Sequence, residues 1–145
     1  MIFRFLQIAV PFVWFGFVAG ISFLETPLKF RAPDITIPLG LGIGRLVFFW
    51  LNKIEIALAI CLLIAFVFVK PQSRFAAATF GAILLLLVAE TVWLLPVLDA
   101  RATEVINGNV APLSNLHVVY IVCDTLKLVL LFALGASAIE SNLKL

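Results

Sequence analysis

Apolar residues in this chain run in four long blocks, residues 5–24, 46–69, 75–98 and 116–139, and the stretches between them hold most of the prolines and charges. At about 1.5 Å per residue, each block is long enough to cross about 30 Å of hydrocarbon as a helix. The pattern predicts an all-α fold: one integral membrane domain, residues 1–145, built as a four-helix bundle.

The connections between blocks shape that expectation. Residues 25–45 carry Pro27, Pro33 and Pro38 with Gly40, Gly42 and Gly44, a content that predicts an ordered or re-entrant loop rather than continuous helix. Lys70-Pro71-Gln72-Ser73-Arg74 reads as a tight turn with Ser73 as cap of the third helix, so the second and third spans form an antiparallel hairpin. Residues 99–115 contain Asn107-Gly108-Asn109 and Pro112, a turn sequence, with Ser114 or Asn115 available to cap the fourth helix. Residues 1–20, with Arg4 ahead of an apolar run, also fit a signal peptide ending near Val18-Ala19-Gly20. The run continues to Leu24 and holds Gln7, Pro11 and Trp14, so an uncleaved first span fits better.

Composition agrees with the blocks. The chain is 64% hydrophobic and 12% charged, with a mean hydropathy of +1.22, a balance that a water-soluble domain of this length could not cover with polar surface. A net charge of +2, without a basic stripe or arm, sets nucleic acid aside as a partner. Lysine and arginine divide evenly between the two sides of the bilayer: Arg4, Lys70, Arg74 and Lys144 on one, Lys29, Arg31, Arg45 and Arg101 on the other. The acids Glu25, Asp34, Asp99 and Glu104 offset the second group, and short loops count most. The basic turn at Lys70 and Arg74 therefore predicts both termini in the cytoplasm, in a membrane of the bacterial inner-membrane type.

Charges inside the spans are the candidates for chemistry, since each costs about 2.5–3.5 kcal/mol at a helix centre unless partners or water offset it. On the fourth span His117, Tyr120, Asp124 and Lys127 are spaced 3, 4 and 3, which places them within about 80° of one another. Asn52 and Glu55 share a face of the second span, with Arg45 on nearly the same stripe. The third span offers Glu90, with Trp93 one turn on, and the first offers Gln7, Trp14 and, at its exit, Glu25. Counted from the external end, Glu90 and Asp124 each lie about 12 Å deep, Glu55 and Lys127 nearer the middle, and His117 near the rim. The candidate ligand site is thus Asn52, Glu55, Glu90, His117, Tyr120, Asp124 and Lys127.

Two readings of that group compete. In the first, Lys127 pairs with Glu55, Glu90 or Asp124 merely to lock helix register. In the second, three acids against one co-facial lysine leave surplus negative charge, which needs protonation, water or a bound cation. Glu55, Glu90, His117 and Asp124 are the candidates for a divalent cation. No organic cofactor and no catalytic residue is predicted. Methionine occurs only at position 1, which disfavours copper, and Cys61 and Cys123 differ in depth by about 13 Å, too far for a disulfide. Lys53 projects nearly opposite Glu55 and must snorkel or meet a partner.

The segments Trp14-Phe15-Gly16-Phe17-Val18-Ala19-Gly20, Pro27-Leu28-Lys29-Phe30 and Asn115-Leu116-His117 resemble the family of small four-helix membrane proteins grouped with transmembrane protein 205. That family's pattern carries an apolar residue and a proline before the phenylalanine at the exit of the first span. Here Glu25 and Thr26 precede Pro27. The resemblance implies four helices and supplies no substrate.

The leading functional expectation is a binding or transport protein that takes a cation or small protonated ligand from the external side. In it Glu55, Glu90 and Asp124 supply charge, Asn52 and Tyr120 orientation, Lys127 a counter-charge and His117 a gate. A homodimer is expected, since a short chain needs a second copy to enclose a pathway. The alternatives are an accessory or assembly subunit of a larger membrane complex, marked by an outward Lys53, and a membrane-embedded enzyme acting on a lipid or quinone. In the last, His117 or Glu90 is the general base beside an apolar pocket.

Overall fold

The computed structural model describes residues 1–71, 73–110 and 114–143. Among them every regular element is a helix, without a strand. Four helices are long and apolar enough to cross a membrane: α1 (Ile2–Lys29), α2 (Ile37–Phe68), α3 (Arg74–Ile106) and α4 (Leu116–Leu143). They pack as a ring in which each helix contacts its neighbours in sequence and α1 closes against α4. Phe3 of α1 stacks on Phe68 of α2 with ring centroids 4.5 Å apart, and Gln7, Ala76 and Ser141 line one small pocket, which puts the start of α1, the α2–α3 turn and the last turns of α4 at one end, here the termini end. The α1–α2 and α3–α4 connections form the other, here the loop end. Gln72, Pro112 and Lys144, each used in the sequence reading, lie outside the described residues.

Two caps fall where expected. Ser73 Oγ accepts from Ala76 N at 3.0 Å, and Ser114 Oγ accepts from Leu116 N at 3.1 Å. At the end of α3, Gly108 adopts a positive φ of 83°, and its N–H and that of Asn109 return to Val105 and Glu104. This is the left-handed helix stop that glycine favours.

The helices run further than the apolar blocks, and the loop predicted over residues 25–45 is largely absent. α1 continues to Lys29 and α2 begins at Ile37, so only residues 30–36 are non-helical between them. Thr36 caps α2 by accepting from Leu39 N, and Pro38 sits in the first turn, where its missing N–H costs nothing. Gly40 is a packing position rather than a breaker: a Cβ there would lie 2.3 Å from the Phe30 ring. Likewise α3 extends to Ile106, well into the region read as loop.

Both α1 and α3 contain a widened π turn, Ala19–Glu25 and Glu90–Leu94. Each ends two residues before a proline, Pro27 and Pro96. The ring of a proline clashes with the carbonyl one turn back, and widening that turn makes room for it. The second π turn corrects one expectation. Rotation per residue is smaller there, so Glu90 and Leu94 both face the interior while Trp93 swings out to 53% exposure.

The apolar core, including Trp14, Leu62, Phe80, Ile83, Leu131 and Leu134, fills the middle and the termini end. The charged residues of the spans gather on the loop side of it.

Candidate functional site

The four helices send five polar side chains, two of them from α4, to a single point above the apolar core. Lys127 of α4 is fully buried, and its Nζ lies 2.7 Å from Glu55 Oε1 of α2 and 3.0 Å from Asp124 Oδ1, one turn earlier on its own helix. It also donates to Glu90 Oε2 of α3. From α1, Trp14 Nε1 donates to the same Glu55 oxygen at 2.8 Å. Glu90, Asp124 and Lys127 are 0% exposed and Glu55 is 1% exposed.

The local causes are visible in each helix. Asp124 and Lys127, three apart, meet because residues at that spacing are neighbours on a helix. Glu90 is turned inward by the π turn that it begins. Glu55 lies one turn beyond Asn52 on the interior stripe of α2, and Trp14 is the fully buried residue facing it.

Acceptors exceed donors at this point. Three carboxylates surround one ammonium, and among the described residues Glu90 Oε1 and both Asp124 oxygens accept no hydrogen bond. Asp124 Oδ1 is close to the ammonium but off the direction of a hydrogen bond. Counted as ionised, the three carboxyl groups would carry two negative charges more than the one ammonium balances.

On the loop side lies a cavity of about 580 Å³ to which all four helices contribute. Asn52, Thr91 and Tyr120 form its floor; Asn52 and Tyr120 lie one turn from Glu55 and Asp124, and Thr91 directly follows Glu90. Asn52 Nδ2 donates to Thr91 Oγ1 at 2.8 Å, and Thr91 donates on to the Leu87 carbonyl at 2.7 Å. Tyr120 is 3% exposed and meets Phe48 edge-on, with centroids 5.3 Å apart. Near the mouth, Arg45 of α2 grips Asp99 of α3 through two hydrogen bonds of 2.5 and 3.0 Å.

Of the seven residues expected in the site, the structure brings Glu55, Glu90, Asp124 and Lys127 into direct contact. It places Asn52 and Tyr120 on the cavity floor beside them. His117 stands apart, exposed in the cavity wall near the mouth. The four candidate metal ligands thus do not converge: Lys127 fills the centre of the three carboxylates, and His117 is two turns of α4 away. Among the described residues, no group of three or more histidine, cysteine or acidic side chains is placed to hold a metal ion.

Three contributors were absent from the expected set. Trp14 was visible only as one azimuth of α1, with nothing to say that its N–H would meet a carboxylate. Thr91 carried no signal beyond following Glu90. Lys29, four residues after Glu25, pairs with it at 3.3 Å and lines the cavity. Lys53, expected to point outward, is exposed and folds over the Phe49 ring at 5.1 Å from its centroid. Comparison of the chain with protein-family models, with curated proteins and with solved structures finds no match.

Proposed function

We propose that this integral membrane protein takes up a small cation, the proton fitting best, at the buried Glu55–Glu90–Asp124–Lys127 cluster, in a binding or transport role. The observation that carries the reading is the excess of three fully buried carboxylates over one ammonium, with three oxygens that accept no hydrogen bond. A register lock of matched charges would need one acid, and unpaired buried charge costs several kcal/mol per ion. Protons supply the missing donors without displacing Lys127, whereas a divalent cation would have to expel it. Protonation also loosens the hold on Lys127, which makes the ammonium the moving counter-charge.

The cavity adjoins the cluster, with Asn52, Thr91 and Tyr120 between them and His117 at its mouth, so a proton has one layer of polar side chains to cross, and the cations of its lining oppose any larger cation. In this reading the loop end faces outward and both termini face the cytoplasm, in a bacterial inner membrane, as the short basic turn at Lys70 and Arg74 supports. Kinship with the transmembrane protein 205 group rests on the three sequence segments alone. One chain walls the cavity by itself, so a homodimer would serve stability or regulation rather than complete the site.

A second reading has one observation in its favour. An enzyme acting on a lipid or quinone needs an apolar pocket beside the polar cluster, and His117 stands in the wall of such a pocket as its candidate base.

Infrared difference spectroscopy across a pH titration tests the first reading. Buried carboxyl groups gaining protons give a carbonyl band that Glu90→Gln and Asp124→Asn each diminish. If the wild-type protein shows no such band, or both variants keep it whole, the cluster is a structural ion lock.

A further inference from the structure

The cavity above the cluster has a chemistry of its own. Its volume, about 580 Å³, falls within the range of small-molecule sites, about 300–1,000 Å³. Phe30, Leu41, Phe48, Leu95 and Leu98 give it apolar walls. Its charged groups are three cations, Lys29, Arg45 and Lys53, against one acid, Asp99, which is already engaged by Arg45. The cluster below holds three acids to one lysine, so the acidic and basic groups gather at different depths.

Lys29 shows which charge the cavity is built to meet. Its side chain is only 8% exposed, yet its ammonium has three donors and, among the described residues, a single acceptor, Glu25 Oε2, at 3.3 Å. It rests against the rings of Phe30 and Phe48, 5.7 and 5.6 Å from their centroids. Gly44 makes the position accessible, because a Cβ there would stand 3.0 Å from Nζ. Arg45 uses two of its five N–H donors on Asp99. Spare charged donors in an apolar cavity call for an acceptor-rich anion, to which hydrogen bonds are strongest.

We propose that this cavity binds a single-chain amphiphile with an anionic head, a carboxylate being the simplest, seated between Lys29 and Arg45 with its chain along Phe48, Leu95 and Leu98. The apolar walls exclude a free inorganic anion, which would leave them wet. The like charge of Lys29, Arg45 and Lys53 excludes a cationic amphiphile. Phe30 and Phe49, exposed at the rim, put the mouth of the cavity within reach of the surrounding lipid. The assignment stands whether or not the cluster below takes up protons.

The test uses the full chain in nanodiscs of phosphatidylcholine, titrated with laurate, dodecanol, dodecyltrimethylammonium and acetate, each normalised to lipid, with displacement of a fluorescent fatty acid as readout. Laurate should bind saturably and about tenfold or more tighter than the neutral and cationic chains of equal length. Acetate should fail to compete. Lys29→Gln should erase most of laurate's advantage over dodecanol, and Ala102→Trp, which fills the cavity from α3, should weaken every chain alike. Equal binding of laurate and dodecanol by the wild-type protein overturns the proposal without any variant having to fold. So does competition by acetate, which would reveal a site for small anions alone. Laurate binding that survives in Glu90→Gln separates this site from the cluster, and loss of laurate binding beside an intact infrared band sinks only the amphiphile.

Discussion

The two halves of the bundle are built from the same four helices by different means. At the termini end and the middle, Leu62, Phe80, Ile83, Leu131 and Leu134 interlock, and Gln7 reaches across α1 to the carbonyls of Ala65 and Val69 at the end of α2. Toward the loop end the contacts become ionic, with Lys127 as the hub for three helices, and above it the helices part around a cavity. Lipid tails are as apolar as leucine, so helices in a bilayer gain little from hydrophobic burial and depend on close packing and polar contacts. One half uses the first, the other the second, and only the second can respond to a proton.

Removing the hub should break the comparison most sharply. Lys127→Met leaves three carboxylates without a cation and should cost about 3–5 kcal/mol at neutral pH, measured by unfolding in mixed micelles. Leu131→Ala, one turn along the same helix in the apolar half, should cost about 3 kcal/mol through the void it leaves. The two losses differ in their response to acid. As the carboxylates take protons their mutual repulsion falls, so Lys127→Met should regain stability as pH drops, while Leu131→Ala keeps a constant deficit. A pH-independent loss in Lys127→Met would show that the lysine acts through packing alone.

Trp14→Phe comes next. The six-membered ring has a counterpart and the pyrrole ring that carries the donor to Glu55 goes, so the expected loss is about 2 kcal/mol or more, the cost of leaving a charged acceptor short of a partner plus a small void. In a Glu55→Gln background the same substitution should cost clearly less, and an undiminished loss there would assign Trp14 to shape rather than hydrogen bonding. Gln7→Leu, its counterpart in the apolar half, should cost about 1 kcal/mol. Of the two carbonyls, that of Ala65 keeps its bond from Val69 N, and that of Val69, half-buried at the end of α2, is open to water.

What could be read from the chain divides along the same line. The four spans, the Ser73 cap and the common face of Tyr120, Asp124 and Lys127 follow from length and from 3.6-residue periodicity, both local properties. Counting depth put Glu55, Glu90, Asp124 and Lys127 in the same half of the bundle, but the meeting of all three acids at the one ammonium depends on the azimuths of three helices and did not follow from it. Helix ends did not follow, since Gly40 and Gly44 look like breakers until Phe30 and Lys29 are seen packed against them. Trp93 was misplaced because a π turn changes the rotation, and its cause, Pro96, lies downstream. His117 shares the face of Asp124 but not its depth: seven residues along a helix is about 10 Å, enough to move it from the cluster to the cavity mouth.

The smallest effect should come from the mouth itself. Arg45 and Asp99 join α2 to α3 with near-ideal geometry, yet their side chains are 36% and 51% exposed. An ion pair so open to solvent is worth about 0.2–1 kcal/mol and is screened by salt. Arg45→Ala should therefore shift stability by well under the cost of Trp14→Phe, and the difference from wild type should shrink further at high ionic strength. The substitution also removes one of the cavity's cations and frees Asp99 to face the interior of the mouth. Binding of an anionic probe should thus fall more than stability does, and a loss of stability rivalling that of Lys127→Met would mean that the loop end is held at its mouth rather than at its buried cluster.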